Sequence, residues 1–247
     1  MDVFSISYAC MAFLIAGLVK GSTGIGFSTT ALPVMMFYID PKVSIPLVII
    51  PSITSNILVM AQSFHFISAL KRFYTLYIAT LPGLYAGVML LGNTKSSVSR
   101  AVLGVVLFLY GIWAFIKRTP PLSPKAEKIL RIPAALTTGI VNGLTGSQVM
   151  PMLPYMLSIQ MDKDTFVQAI NLSFTFSSLT MIILLNHMGI FRMENFPVAF
   201  LGLVPTAVGI YAGNKVRKSL NEEAYRKAVL FFLMIAGISL IIRSCLI

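Results

Sequence analysis

The chain has 247 residues, 57% of them hydrophobic and 11% charged, with a mean hydropathy of +0.86. That balance excludes a soluble domain with a polar surface, and long unbroken apolar runs exclude a β-barrel, whose strands would alternate. The net charge of +11 comes from basic residues gathered between the runs, so it reads as membrane sidedness and not as nucleic-acid binding.

Five apolar stretches fill the first half, at 3–19, 25–38, 43–62, 73–91 and 99–117, and five fill the second, at 132–142, 147–160, 165–185, 196–213 and 226–243. The first lacks a basic leader and runs straight into a Gly-rich motif, so it is expected to belong to the mature fold. That motif, Gly17-Leu18-Val19-Lys20-Gly21-Ser22-Thr23-Gly24, returns 122 residues later as Gly139-Ile140-Val141-Asn142-Gly143-Leu144-Thr145-Gly146. Glycines so spaced are unfavourable in a helix, and two copies in apolar sequence predict two places where helices break to expose backbone. The offset of 122 also relates Asp40 to Asp162, Ser55 to Ser177, His65 to His187 and Gly87 to Gly209, and it becomes 126 at Arg100/Arg226 and Gly111/Gly237. We read one membrane domain over 1–247, made of repeats 1–118 and 128–247 joined by a Pro-rich linker at 119–127.

The expected fold is all-α and polytopic. Each repeat supplies a Gly-rich, broken or re-entrant helical hairpin (3–38 and 132–160) whose two short arms enter and turn back, followed by three transmembrane helices. An odd number of crossings per repeat inverts the second relative to the first. With the linker at 117–131 inside, thirteen basic residues fall on that face and five on the other (Lys42, Lys95, Arg100, Arg192 and Arg243). The asymmetry predicts a multi-pass protein of the inner or plasma membrane with a cytoplasmic linker and both termini outside.

Lys20 is the basic residue this scheme leaves at membrane depth, where a cation faces a cavity or a partner, or else snorkels to an interface. Its ammonium, together with backbone N–H groups at the start of the next helix, favours an anion. Gly21, Thr23, Gly24 and Gly26 belong to the same turn. Asn142 stands at the matching position of the second repeat, with Gly143, Thr145, Gly146, Ser147 and Gln148. The third segments add Ser52 and Asn56 in one repeat and Asn171 in the other. Asp40 and Asp162 read as N-caps, His65 and His187 as structural residues at helix ends, and Cys10 and Cys245 as small buried hydrophobes. No metal site and no cofactor is expected. An embedded enzyme would need paired carboxylates or a nucleophile with its base at one depth, and the acidic residues all lie near segment ends.

The duplicated hairpin, Gly17-x3-Gly21-x2-Gly24-x-Gly26 before Leu32-Pro33 and Gly139-x3-Gly143-x2-Gly146 before Leu153-Pro154, resembles the TauE/SafE sulfite exporter family. The His65 and His187 turns and the Arg100…Gly111 and Arg226…Gly237 helices are similar as well. The resemblance implies a permease for small sulfur-containing or organic anions: sulfite, sulfonates such as sulfoacetate, or thiosulfate. The protein is then expected to be a secondary transporter working by alternating access, with a proton as a candidate coupling ion. A passive anion channel with paired re-entrant hairpins is the alternative, and a membrane-embedded enzyme a more distant one. Lys20 is not a fixed feature of the family, and Ser147-Gln148 replaces a glycine of its second turn.

Overall fold

The computed structural model describes residues 1–61, 66–116, 121–191, 196–219 and 222–246, and His65, Lys117, Arg118 and Arg192 lie outside them. Among the described residues the chain is all-helical: α1 Val3–Thr23, α2 Phe27–Met35, α3 Pro41–Met60, α4 Phe66–Asn93, α5 Ser96–Ile116, α6 Pro124–Thr145, α7 Met152–Ser158, α8 Lys163–His187, α9 Phe196–Leu201, α10 Leu203–Ser219 and α11 Glu222–Leu246. Seven helices are long and apolar enough to cross a membrane, namely α1, α3, α4, α5, α8, residues 196–216 and residues 225–246. This is a polytopic membrane protein, as its composition requires.

The helix ends follow from local chemistry. Asp40 accepts the Lys42 N–H at 2.8 Å with Pro41 in the first turn of α3, and Asp162 accepts the Thr165 N–H at 2.8 Å, so both aspartates cap as expected. α1 and α6 end at Gly24 (φ 80°) and Gly146 (φ 76°), where the left-handed backbone suits glycine. In each case the cap N–H closes on the residue four back, Lys20 or Asn142.

Contacts at the helix ends sort the molecule into two faces. At one, the Phe4 and Tyr38 rings meet at 6.1 Å and the Arg243 guanidinium lies 5.8 Å over Tyr38, which joins both chain termini to the end of α2. Ser96 Oγ donates to Asp40 Oδ1 at 2.9 Å and Lys42 Nζ to the Gly92 carbonyl at 3.1 Å, placing the starts of α3 and α5 and the end of α4 on this terminal face. At the other, Arg72 pairs with Glu127 at 3.8 Å, Arg226 Nη2 donates to the Ala114 carbonyl at 2.8 Å, and the Leu122 N–H donates to the Ser158 carbonyl at 2.9 Å. This linker face gathers the starts of α4, α6 and α11 and the ends of α5 and α7.

Two sequence expectations need correction. The hairpin arms are unequal: α1 and α6 have 21 and 22 residues, about 31–33 Å at 1.5 Å per residue, long enough to cross. The second arms have 9 and 7 residues, far short of a ~30 Å core. Both hairpins still return to the face they leave, since Tyr8 Oη donates to the Val34 carbonyl at 2.9 Å and Tyr155 Oη to the Glu127 carbonyl at 3.1 Å. Second, Gly17, Gly21, Gly139 and Gly143 do not break their helices. They let α1 lie against α10 and α6 against α4 so closely that a Cβ on any of them would stand within 3.0 Å of the facing backbone. Without a hydrophobic force between helices in lipid, such small-residue seams let backbones approach and pack.

The facing atoms recur. Gly17 meets the Thr206 carbonyl and Gly139 that of Thr80; Gly21 meets Ile210 and Gly143 meets Leu84; Gly209 meets Leu14 and Gly83 meets Leu136. In these contacts α10 residues stand 126 positions after their α4 counterparts, so Gly209 matches Gly83, not Gly87, and the offset changes earlier than the sequence suggests. α5 packs on α11 and α3 on α8. α3 runs from the terminal face and α8 toward it, since the end of α8 brings Met188 against Gly92.

Candidate functional site

Lys20 is fully buried on α1, three residues before the helix ends. Its Nζ donates to Asn56 Oδ1 of α3 at 2.7 Å and to Asn171 Oδ1 of α8, and it lies 6.0 Å from the centre of the Phe174 ring. Asn171 uses its other amide atom to bind the Gly24 carbonyl at 3.2 Å and the Val167 carbonyl at 2.7 Å, which fixes the end of α1 against α8. An ammonium carries three N–H donors, and the two amide oxygens take two of them.

Beside it is a polar cavity of about 10 Å³, room for about one water, lined by Lys20, Gly26, Phe27, Ser28, Thr29, Ser52, Asn56, Gln148 and Phe174. Among the described residues no carboxylate lines it. α2 begins here without a side-chain cap after Gly26, so the N–H groups of its first turn supply further donors. Asn56 Nδ2 and Gln148 Oε1 are buried, with no hydrogen-bond partner among the described residues. Ser28 Oγ donates to Ser52 Oγ at 3.0 Å across the cavity wall.

The small cavity shares Gly26 and Thr29 with a vestibule of about 300 Å³ that reaches the linker face. Ser22, Thr23, Thr29 and Thr30 supply its hydroxyls, and among the described residues the buried Thr30 Oγ1 has no hydrogen-bond partner. Its walls are Val149, Leu153, Leu157, Val229, Leu230 and Leu233, while Lys163 and Arg226 stand exposed at its mouth. Tyr225 bridges the gap from α11 to α1, accepting from Ser22 Oγ at 2.7 Å.

Of the residues expected from sequence, Lys20, Gly26, Ser52, Asn56 and Gln148 line one cavity, and Asn171 holds Lys20. Thr23 Oγ1 lies within reach of the carbonyls of Val19 (2.8 Å) and Ile25 (2.7 Å), one of which takes its single proton, and accepts the Ile25 N–H, while Thr145 Oγ1 donates to Val141 and accepts the Ser147 N–H. Both hydroxyls close their own turns. Gly24 and Gly146 are the left-handed caps, and Gly21 and Gly143 sit in helix seams. Asn142, Gly143, Thr145, Gly146 and Ser147 line neither the cavity nor the vestibule; Gly146 packs on Leu32 and Ile45. Tyr225, Arg226 and Lys163 were not expected at the site. The last two lie near segment ends, where a basic residue reads as a topology signal, and no local pattern brings Ser22 near Tyr225.

Towards the terminal face the route is closed. Phe13 and Phe27 stack at 6.2 Å, and Ala31, Leu32, Met35, Met36, Leu103 and Leu107 are buried behind them. Among the described residues no cluster of His, Cys, Asp or Glu can hold a metal ion.

A family model described as "Sulfite exporter TauE/SafE" matches residues 9–240. Searches of curated proteins and of solved structures found no match. The family match spans nearly the whole of a chain folded as a bundle of membrane-crossing helices, and on that ground the protein belongs to the TauE/SafE family of membrane transporters and is not an enzyme.

Proposed function

We propose that this transporter carries a small sulfur-containing or organic anion, of the sulfite, sulfonate or thiosulfate class, across the inner membrane by alternating access between two inverted halves. The observation that carries the reading is the buried Lys20 ammonium, held by two amide oxygens beside a donor-rich cavity with no carboxylate among the described residues of its wall. A buried cation without a counter-charge is costly, and an anion at the end of the vestibule would supply that charge. The start of α2 and Asn56 Nδ2 add neutral donors, and several convergent donors are what a desolvated oxyanion needs.

Closure towards one face with an open vestibule at the other favours a carrier over a channel. Equivalent glycine contacts in the two halves, and the opposed directions of α3 and α8, support inversion. A proton is retained as the candidate coupling ion.

The test is uptake into proteoliposomes of sulfite, thiosulfate, sulfoacetate and small carboxylates, with and without a pH gradient. Saturable flux with counterflow is expected for at least one of them. Flux that never saturates would mark a channel, and no flux of any anion would remove the reading.

A further inference from the structure

The residues that line the vestibule have repeat-related counterparts on the terminal face. The offsets that relate the glycine contacts, 122 for the hairpins and 126 for the later helices, carry Leu153, Leu157, Arg226 and Leu233 onto Ala31, Met35, Arg100 and Leu107. The first set lines the vestibule. The second forms a dry seam between α2 and α5, with Ala31, Met35 and Leu107 fully buried.

Two polar contacts mark the same relation. Ser22 Oγ donates to Tyr225 Oη at 2.7 Å, joining α1 to α11, and at the matching positions Ser99 Oγ donates to the Leu144 carbonyl at 2.6 Å, joining α5 to α6. The arginines differ in a way that follows the state of each side. Each donates to a backbone carbonyl, Arg226 Nη2 to Ala114 at 2.8 Å and Arg100 Nε to Met36 at 3.1 Å at the end of α2, but Arg226 is exposed at an open mouth whereas Arg100 is only 7% exposed. Asp40 is close enough to interact with its charge. A guanidinium held at the lip of an apolar seam gives up hydration, and one carbonyl and the nearby Asp40 carboxylate return only part of it.

We propose that this seam is a second anion access site, the terminal-face counterpart of the vestibule, with Arg100 as both its latch and its cationic lip. The inference rests on the carrier reading above. In the alternate state α5 parts from α2 and α6, Arg100 releases the Met36 carbonyl, and the seam between Met35 and Leu107 takes the place of the vestibule. Arg100 then draws anions to the seam as Arg226 does to the opposite mouth, while α11 closes on α7.

Single cysteines at Leu103, beside the seam, and at Val229, its vestibule counterpart, test this in a Cys10→Ser, Cys245→Ser background. A membrane-impermeant maleimide is applied from either face, with sulfoacetate as the probe anion because sulfite itself attacks maleimides. Val229→Cys is expected to react from the linker face at rest. Leu103→Cys is expected to react only from the terminal face, and about tenfold faster once Arg100→Ala removes the latch, with a matching fall at Val229→Cys. Arg100→Gln, which keeps much of the side-chain volume, serves if the alanine variant does not fold. Anion flux with Leu103→Cys silent from the terminal face, latch present or absent, overturns the second site and leaves the carrier reading in place. Reciprocal labelling without flux of any screened anion keeps the site and removes the proposed passenger.

Discussion

Of the three protons on the Lys20 ammonium, the amide oxygens of Asn56 and Asn171 take two, and the third remains for a ligand. Lys20→Gln removes the charge and keeps an amide donor. Losing one charge-assisted hydrogen bond of about 1.5–3 kcal/mol corresponds to a fall in apparent anion affinity of roughly 10- to 150-fold. Unchanged transport in that variant would show that Lys20 has no part in recognition. Lys20→Met removes all donors and leaves two buried amide oxygens unpaired, so thermal stability should fall by roughly 1–3 kcal/mol for each. Thr23 behaves differently. Its hydroxyl is engaged by Val19 and Ile25 within the turn, so Thr23→Val should lose about 1 kcal/mol of stability, read as a lower melting temperature, with little change in substrate KM. A large KM rise without destabilisation would instead make Thr23 a ligand-binding residue.

At the scale of elements, the glycines divide by role. Gly24 and Gly146 end helices at positive φ, whereas Gly21 and Gly143 hold helix seams where a Cβ would meet a carbonyl of α10 or α4. Gly21→Ala and Gly143→Ala should therefore each destabilise the protein by about 1–3 kcal/mol or more, since the obstacle is backbone that cannot rotate away. Gly189, with nothing within 4 Å of an added Cβ, is the control: its alanine variant bears only the strain of φ 67°. Equal losses at Gly189 and Gly21 in thermal unfolding would refute the seam assignment. The helices themselves were legible because membrane helices are written as apolar runs, and Asp40 and Asp162 marked two starts. The seams were misread as breaks because a Gly-x3-Gly spacing looks the same in either use, and only the facing helix decides between them. The cluster of Lys20, Asn56 and Asn171 was legible because polar residues in apolar runs have few places to go. The Thr hydroxyls were not, since a hydroxyl serves its own turn or a ligand with equal chemistry.

For the whole molecule, the two faces differ in charge and in access together. Lys71, Arg72, Lys125, Lys128, Arg131, Lys163, Arg226 and Lys227 belong to the linker face. The terminal face has Lys42 and Lys95, plus Arg100 buried against α2 and Arg243 stacked on Phe37 and Tyr38. Basic residues are therefore concentrated on the face where the vestibule opens. A mouth with Lys163 and Arg226 on its rim raises the local concentration of anions before any of them reaches Lys20. That contribution acts at long range and through water, so salt should remove it, unlike the buried contacts to Lys20, which are screened much less. The double variant Lys163→Gln, Arg226→Gln is expected to raise the KM for anion loaded from the linker face several-fold at about 10 mM ionic strength, where the screening length is about 30 Å. The difference should disappear near 1 M, where that length is about 3 Å, and kcat should stay the same throughout. A KM defect that persists at high salt would place these two cations in direct contact with the anion, and the recognition site would then extend from Lys20 to the mouth.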